Sequence, residues 1–178
     1  MSRRRGRGAG KRSPKGLKQG RIQVDEAAQA RLDELAAIYR HAKERFAGSR
    51  CEGSTECCRF AITGREPYVT SIEVLAVRRA LARRGGALRP KKRALPLVPA
   101  GEDERTCPML DERGRCCVYA DRPLGCRTFW CHRAEHDDAA VSQSELNELV
   151  RRVQEVAAAH ETRGDQGRPL TRAFADLM

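Results

Sequence analysis

Residues 116–131 read CCVYADRPLGCRTFWC, which places four of the chain's eight cysteines within sixteen positions. A cysteine serves as a small apolar filler, half of a disulfide, a nucleophile or a metal ligand, and each use needs a different neighbourhood. The other four are Cys51, Cys57, Cys58 and Cys107, so the thiols form two groups, 51–58 and 107–131. Both groups are flanked by Gly, Pro, Ser and Arg, the composition of irregular loops. Cysteines used as core filler would instead be scattered over periodic apolar faces.

Those faces lie elsewhere. Leu32, Leu35, Tyr39, Ala42 and Phe46 recur at three and four residues within VDEAAQARLDELAAIYRHAKERFAGS and predict a first helix stopped at Gly48. Thr70 and Glu73 form a capping box before a second helix, with Val74, Val77 and Leu81 on one side and a Gly85-Gly86 stop. Ser142 and Glu145 repeat the device before a third, about five turns long and ending by Gly164, with Leu146, Leu149, Val150, Val153, Val156 and Ala157 at helical spacing. The cysteines fall between these helices. The end of CEGSTECCRFAIT reads as a short strand, residues 87–105 as a Pro-punctuated basic loop, and CPMLDERGRCCVY as a small hairpin turning at Asp111–Gly114. The closing RPLTRAFADLM adds a turn or two that docks through Leu170, Phe174 and Leu177.

The expected fold is mainly α: three principal helices around a cysteine-rich, metal-stapled loop region with a small irregular β-hairpin. A chain of 178 residues with 40% apolar but only 4% aromatic content builds a lean core, which gains from such staples. Of the formal charge of +11, nine positive charges and no acid lie in residues 1–21, leaving +2 for the rest. That composition predicts a disordered basic tail over 1–22 and a single domain over 23–178 with its cysteine core at 51–131. The tail suits a solvated extension or non-specific nucleic-acid contact, with no aromatic residue for base stacking. No apolar run reaches membrane-spanning length and no h-region follows the basic start, so a cytoplasmic protein is expected. In a reducing compartment eight cysteines point to metal, catalysis or redox sensing ahead of four disulfides.

Zinc ribbons use paired C-x2-C hooks, and none occurs here; the spacings are C-x5-CC, CP, CC and C-x4-C. Thiolates also hold iron–sulfur clusters, so zinc, iron and a [4Fe–4S] cluster all remain open from spacing alone. Adjacent cysteines diverge in regular structure, so in Cys57-Cys58 and in Cys116-Cys117 either one thiol packs or the backbone is irregular.

The C-x5-CC group followed by CPML and RCCVYADRPLGCRTFWC resembles the bacterial cysteine-cluster proteins of the YkgJ type, described as zinc- or iron-chelating domains. The resemblance spans roughly residues 51–131. It implicates Cys51, Cys57, Cys58, Cys107, Cys116, Cys126 and Cys131 as metal ligands, with Tyr119, Arg122, Pro123 and Arg127 as framework. Cys117 falls at a variable position of the pattern. Ser54 stands where many relatives carry a further cysteine, a place that Cys117, His132 or no residue fills. Independently of the resemblance, Arg122 and Arg127 suit the neighbourhood of a thiolate centre, which carries net negative charge, and Phe129 and Trp130 suit either its dry wall or the ordinary core.

Three functions follow for weighing. The first is a metal-chelating domain binding zinc or iron. The second is an iron–sulfur enzyme or redox protein, which the resemblance admits because a related cysteine region occurs in flagellin lysine methylase; the chain shows no nucleotide fingerprint of its own. The third is nucleic-acid association through residues 1–21 and the basic RPKKR at 89–93. Nothing in the sequence fixes the oligomeric state.

Overall fold

The computed structural model describes residues 21–46, 55–86, 105–128, 142–163, 165 and 167–177. The tail, Gly48, Cys51, Ser54, most of the 87–105 connector, Phe129, Trp130, Cys131, His132 and Gly164 lie outside the described residues. The architecture is mainly helical, with one small antiparallel sheet.

The long helices are α1 (Glu26–Arg45), α3 (Ser71–Arg83) and α5 (Gln143–His160); α2 (Phe60–Thr63), α4 (Leu124–Thr128) and α6 (Leu170–Ala173) are single turns. Each long helix begins at a side-chain cap. The Ala28 amide donates to Asp25 Oδ1 at 2.7 Å, and Ser142 and Glu145 form their reciprocal box. The apolar stripes foreseen on α1 and α5 meet: Leu32, Leu35, Ile38, Tyr39, Ala42 and Phe46 pack with Leu149, Val153, Val156 and Ala157.

Helix α3 divides the molecule, because it is apolar on more than the one side its spacing announced. Ile72, with Leu75 and Ala76, joins the α1–α5 core, and this first core contains no cysteine. Val74, Val77, Ala80 and Leu81 face a second core made with Phe60, Val69, Met109, Val118, Leu170, Ala173 and Phe174. Cys107 is buried in that second core, and Cys58, Cys116, Cys117 and Cys126 pack against it. These five thiols therefore belong to one lobe, with α3 as its back wall.

Three local expectations are revised. Residues 60–63 form α2 instead of a strand: FAIT lacks alternation, only Phe60 is buried, and Gly64 at φ +65° closes the turn with its amide on the Phe60 carbonyl. The hairpin at 107–119 reduces to one antiparallel bridge, Leu110 with Cys116, around a turn in which Asp111 Oδ1 accepts the Arg113 and Arg115 amides. The actual sheet pairs β1 (Tyr68–Val69) with β2 (Arg168–Pro169), an association between segments a hundred residues apart that no local pattern announces. Its surroundings are pinned by Glu66 Oε1, which accepts from the Thr171 amide and hydroxyl, each at 2.6 Å. Leu170 and Phe174 then dock into the second core as expected, and Leu177 packs against it.

One buried group joins these parts. Glu73 is 2% exposed. Its Oε2 accepts from the Thr70 amide and hydroxyl at 3.0 Å, while its Oε1 accepts from the Tyr39 hydroxyl of α1 at 3.0 Å and the Leu124 amide opening α4 at 2.7 Å. A buried carboxylate so satisfied is stable, and its removal strands donors on three elements. Glu73→Ala should therefore cost about 3–5 kcal/mol, against about 1 kcal/mol for Ser142→Ala at the exposed box. Urea unfolding of both variants measures this; equal losses would show that Glu73 is only a local cap.

Candidate metal centre

The site begins where the chain leaves regular structure. Thr55 takes a left-handed conformation, φ 56°, and turns the chain into a 3-10 turn over Glu56–Cys58, with the Cys58 amide on the Thr55 carbonyl. This irregularity lets two adjacent cysteines serve one place. Cys57 Sγ and Cys58 Sγ lie 3.9 Å apart, close to the edge of about 3.8 Å that a tetrahedron with metal–sulfur bonds of about 2.3 Å requires. Both readings left open for Cys57-Cys58 are met: the backbone is irregular there, and Cys58 packs against the second core.

The second group is tied to the first through the backbone. The Cys107 amide donates to the Cys58 carbonyl at 2.8 Å, and Arg59 forms a bridge with Thr106. Cys116 is positioned by its bridge to Leu110, and Cys117 by its amide on the Met109 carbonyl. Cys126 sits in α4, whose first turn is set by Pro123: its carbonyl accepts from both the Cys126 and Arg127 amides. The fixed ring of Pro123 places Arg122 in extended backbone and starts the helix directly behind it.

Cys57, Cys58, Cys107, Cys116, Cys117 and Cys126 all line one cavity of about 1010 Å³. Among the described residues, however, no three His, Cys, Asp or Glu side chains are gathered into a set that could hold a metal ion. Cys51 and Cys131, two of the seven expected ligands, lie outside the described residues. The donor chemistry fits a soft or borderline cation, since thiolates select zinc and iron–sulfur clusters. The described thiols are free cysteines.

The electrostatics favour protonated thiols while no cation is bound. The hydrogen bond shared with Cys107 is the first cause that pushes Cys58 up, to about 12. The hydrogen bond to Cys58, then burial, raises Cys57. Desolvation is the leading cause for both Cys116 and Cys126. The positive charge of Arg122 opposes the rise at Cys57, Cys116 and Cys126, and Arg84 opposes it at Cys116. A cation entering such a site has to displace protons, which couples its affinity to pH.

The framework arginines divide their work. Arg122 lies over the Tyr119 ring at 3.8 Å and lends positive charge to the thiols. Arg127 braces the loop instead of reaching the sulfurs: Nε donates to the Arg122 carbonyl at 2.7 Å, a terminal nitrogen to the Ala120 carbonyl at 2.5 Å, and the guanidinium stacks on Tyr39 at 4.2 Å. Phe60, Met109, Val118, Leu170 and Phe174 give the cavity an apolar wall. Two contributors escaped the sequence reading in their full role. Glu73 was visible only as a local cap, although it also holds the amide that opens α4. Gly125 carried no signal at all.

A family model called CxxCxxCC, with the description "Putative zinc- or iron-chelating domain", matches residues 50–149, more than half of the chain. Neither the curated proteins nor the solved structures contain a match.

Gly125 precedes Cys126 and packs on the chain before β1. A Cβ there would stand 2.9 Å from Pro67 Cβ, part of a rigid ring that cannot rotate away. Gly125→Ala should displace α4 and cost about 1–3 kcal/mol. Denaturant melts of this variant check the contact, and an unchanged midpoint would show that α4 is free to move.

Proposed function

The chain belongs to the CxxCxxCC family of zinc- or iron-chelating domains, and from that premise we propose that its cysteine lobe holds zinc or iron through Cys51, Cys57, Cys58, Cys107, Cys116, Cys126 and Cys131. The observation that carries this reading is the convergence of thiols from separate chain segments on one cavity, joined by the Cys107 amide on the Cys58 carbonyl. When bound, the cation supplies cross-links between loops that the lean second core does not supply by itself. Arg122 offsets the negative charge of the thiolate set, and the apolar wall lowers the polarity on one side of the sulfurs.

The number of thiols supports a second reading. A tetrahedral zinc site uses four, and seven leave room for a second ion or for an iron–sulfur cluster beside other ligands. On this reading the domain serves redox or cluster-dependent chemistry, with no residue of the chain assigned to catalysis. A reducing, cytoplasmic setting suits both, since both need free thiols. Residues 1–21 suit a non-specific polyanion contact added to either.

Elemental analysis of anaerobically purified protein decides the metal. Stoichiometric zinc in a colourless protein selects the structural site, and a brown protein bleaching on reduction selects the cluster. Cys58→Ser and Cys126→Ser should each lower bound metal at least several-fold; a fully metallated Cys126→Ser variant would remove that residue from the ligand set.

Metal removal should also act unevenly. Structural zinc binding is worth about 10–16 kcal/mol in small domains, as much as a whole domain's stability of about 5–15 kcal/mol. The α1–α5 core contains no cysteine. Chelation is therefore expected to open the cysteine lobe first, with amide exchange accelerating in 55–64 and 105–128 before it does in α1 and α5. An exchange pattern that stays the same when chelator strips the metal from the loaded protein would contradict the proposal.

A further inference from the structure

We propose that the cleft between α1 and α3, on the helical side of the molecule, binds a small phosphorylated molecule. The cleft has a volume of about 460 Å³, within the range of small-molecule sites of about 300–1,000 Å³. It shares no lining residue with the cysteine cavity, so this inference stands independently of the metal reading.

Its charge is one-sided. Helix α1 contributes Arg40 and Lys43, α3 contributes Arg79 and Arg83, and Arg127 lies among them. None of the four carboxylates of α1 lines the cleft, and the single acid of α3 is Glu73, buried elsewhere. The separation follows from helical geometry. Gln29, Ala36, Arg40 and Lys43 share one face of α1, and Ala76, Arg79 and Arg83 share one face of α3. The one carboxylate at the cleft is Asp121, held by Arg83 at 2.9 Å. Arg79 donates to the neutral Gln29 Oε1 at 2.8 Å. Among the described residues Arg40 and Lys43 form no ion pair, and Arg127 is held by backbone carbonyls and the Tyr39 ring. Like charges in one concavity repel, and an anion seated between them relieves that repulsion.

The chemistry of the cations favours phosphate. Four of the five are guanidinium forks, which donate in pairs to phosphate oxygens, and Arg127 is already oriented by its carbonyl partners and by stacking. Leu32, Leu35, Ala36 and Ala76 add an apolar side, which suits an organic phosphate better than a bare ion. Single-stranded nucleic acid fits less well. The aromatic residue at the cleft, Tyr39, is buried beneath Arg127 and presents no face to a base.

The test is calorimetric titration of the full chain, as purified, with ADP and with inorganic pyrophosphate at fixed salt. The proposal expects one saturable site, with ADP bound more tightly than pyrophosphate. The double variant Arg40→Ala/Lys43→Ala should weaken binding at least tenfold, while Arg151→Ala, on α5 and away from the cleft, leaves it unchanged. Arg40 and Lys43 are exposed, so their loss leaves the fold intact, and an unchanged thermal melt followed by circular dichroism confirms this in the same samples. The proposal is overturned by absence of saturable binding of both probes, by equal affinity in the double variant, or by a preference of the same residues for single-stranded RNA over both small probes.

Discussion

The molecule depends on a carboxylate that water does not reach. Glu73 caps its own helix through Thr70, receives the hydroxyl of Tyr39 from α1 and receives the amide that opens α4. The first bond is local, the second fixes the angle between the two long helices, and the third places the turn that carries Cys126. Both oxygens accept hydrogen bonds, so the buried carboxyl group is satisfied on every side the fold gives it. The burial of Tyr39 follows from the same contact, and desolvation there is the first cause that raises its phenol well above its ordinary range.

From that hub the structure separates into two lobes that share α3. One is an ordinary helix-on-helix core, built from amphipathic stripes and closed by side-chain caps. The other has little regular structure: 3-10 turns, one-turn helices, isolated bridges and a two-residue sheet surround the thiols. The contrast suits the chelating role proposed for the cysteine lobe. A lobe with few repeating hydrogen bonds and a modest apolar core is where a cross-linking cation contributes most.

How much of this was legible in the sequence depends on the range of the interaction. The helices were readable because their stripes and their Thr70–Glu73 and Ser142–Glu145 boxes are set by residues three and four apart. The grouping of cysteines between helices was readable for the same reason, and so were Leu170 and Phe174 as docking residues. The β1–β2 pairing was not, since two residues on each side leave no alternation to detect and the partners are far apart in the chain. Nor was the second buried side of α3, because Ile72 shows its use only once α1 and α5 are in place. The FAIT segment misled because the β-branched pair Ile62-Thr63 and the aromatic Phe60 favour a strand statistically, while the chain reversal at Gly64 closes a helical turn.

The placement of β2 and α6 has a temporal corollary. Every described thiol precedes residues 165–177 in the chain, yet Leu170 and Phe174 form part of the wall behind those thiols, and Thr171 is fastened to Glu66. On the ribosome, where the polypeptide emerges from its amino end, the sulfurs are exposed to the cell before the segment that encloses them has been made. The wall behind the thiols is thus completed last, after every cysteine it backs has been made.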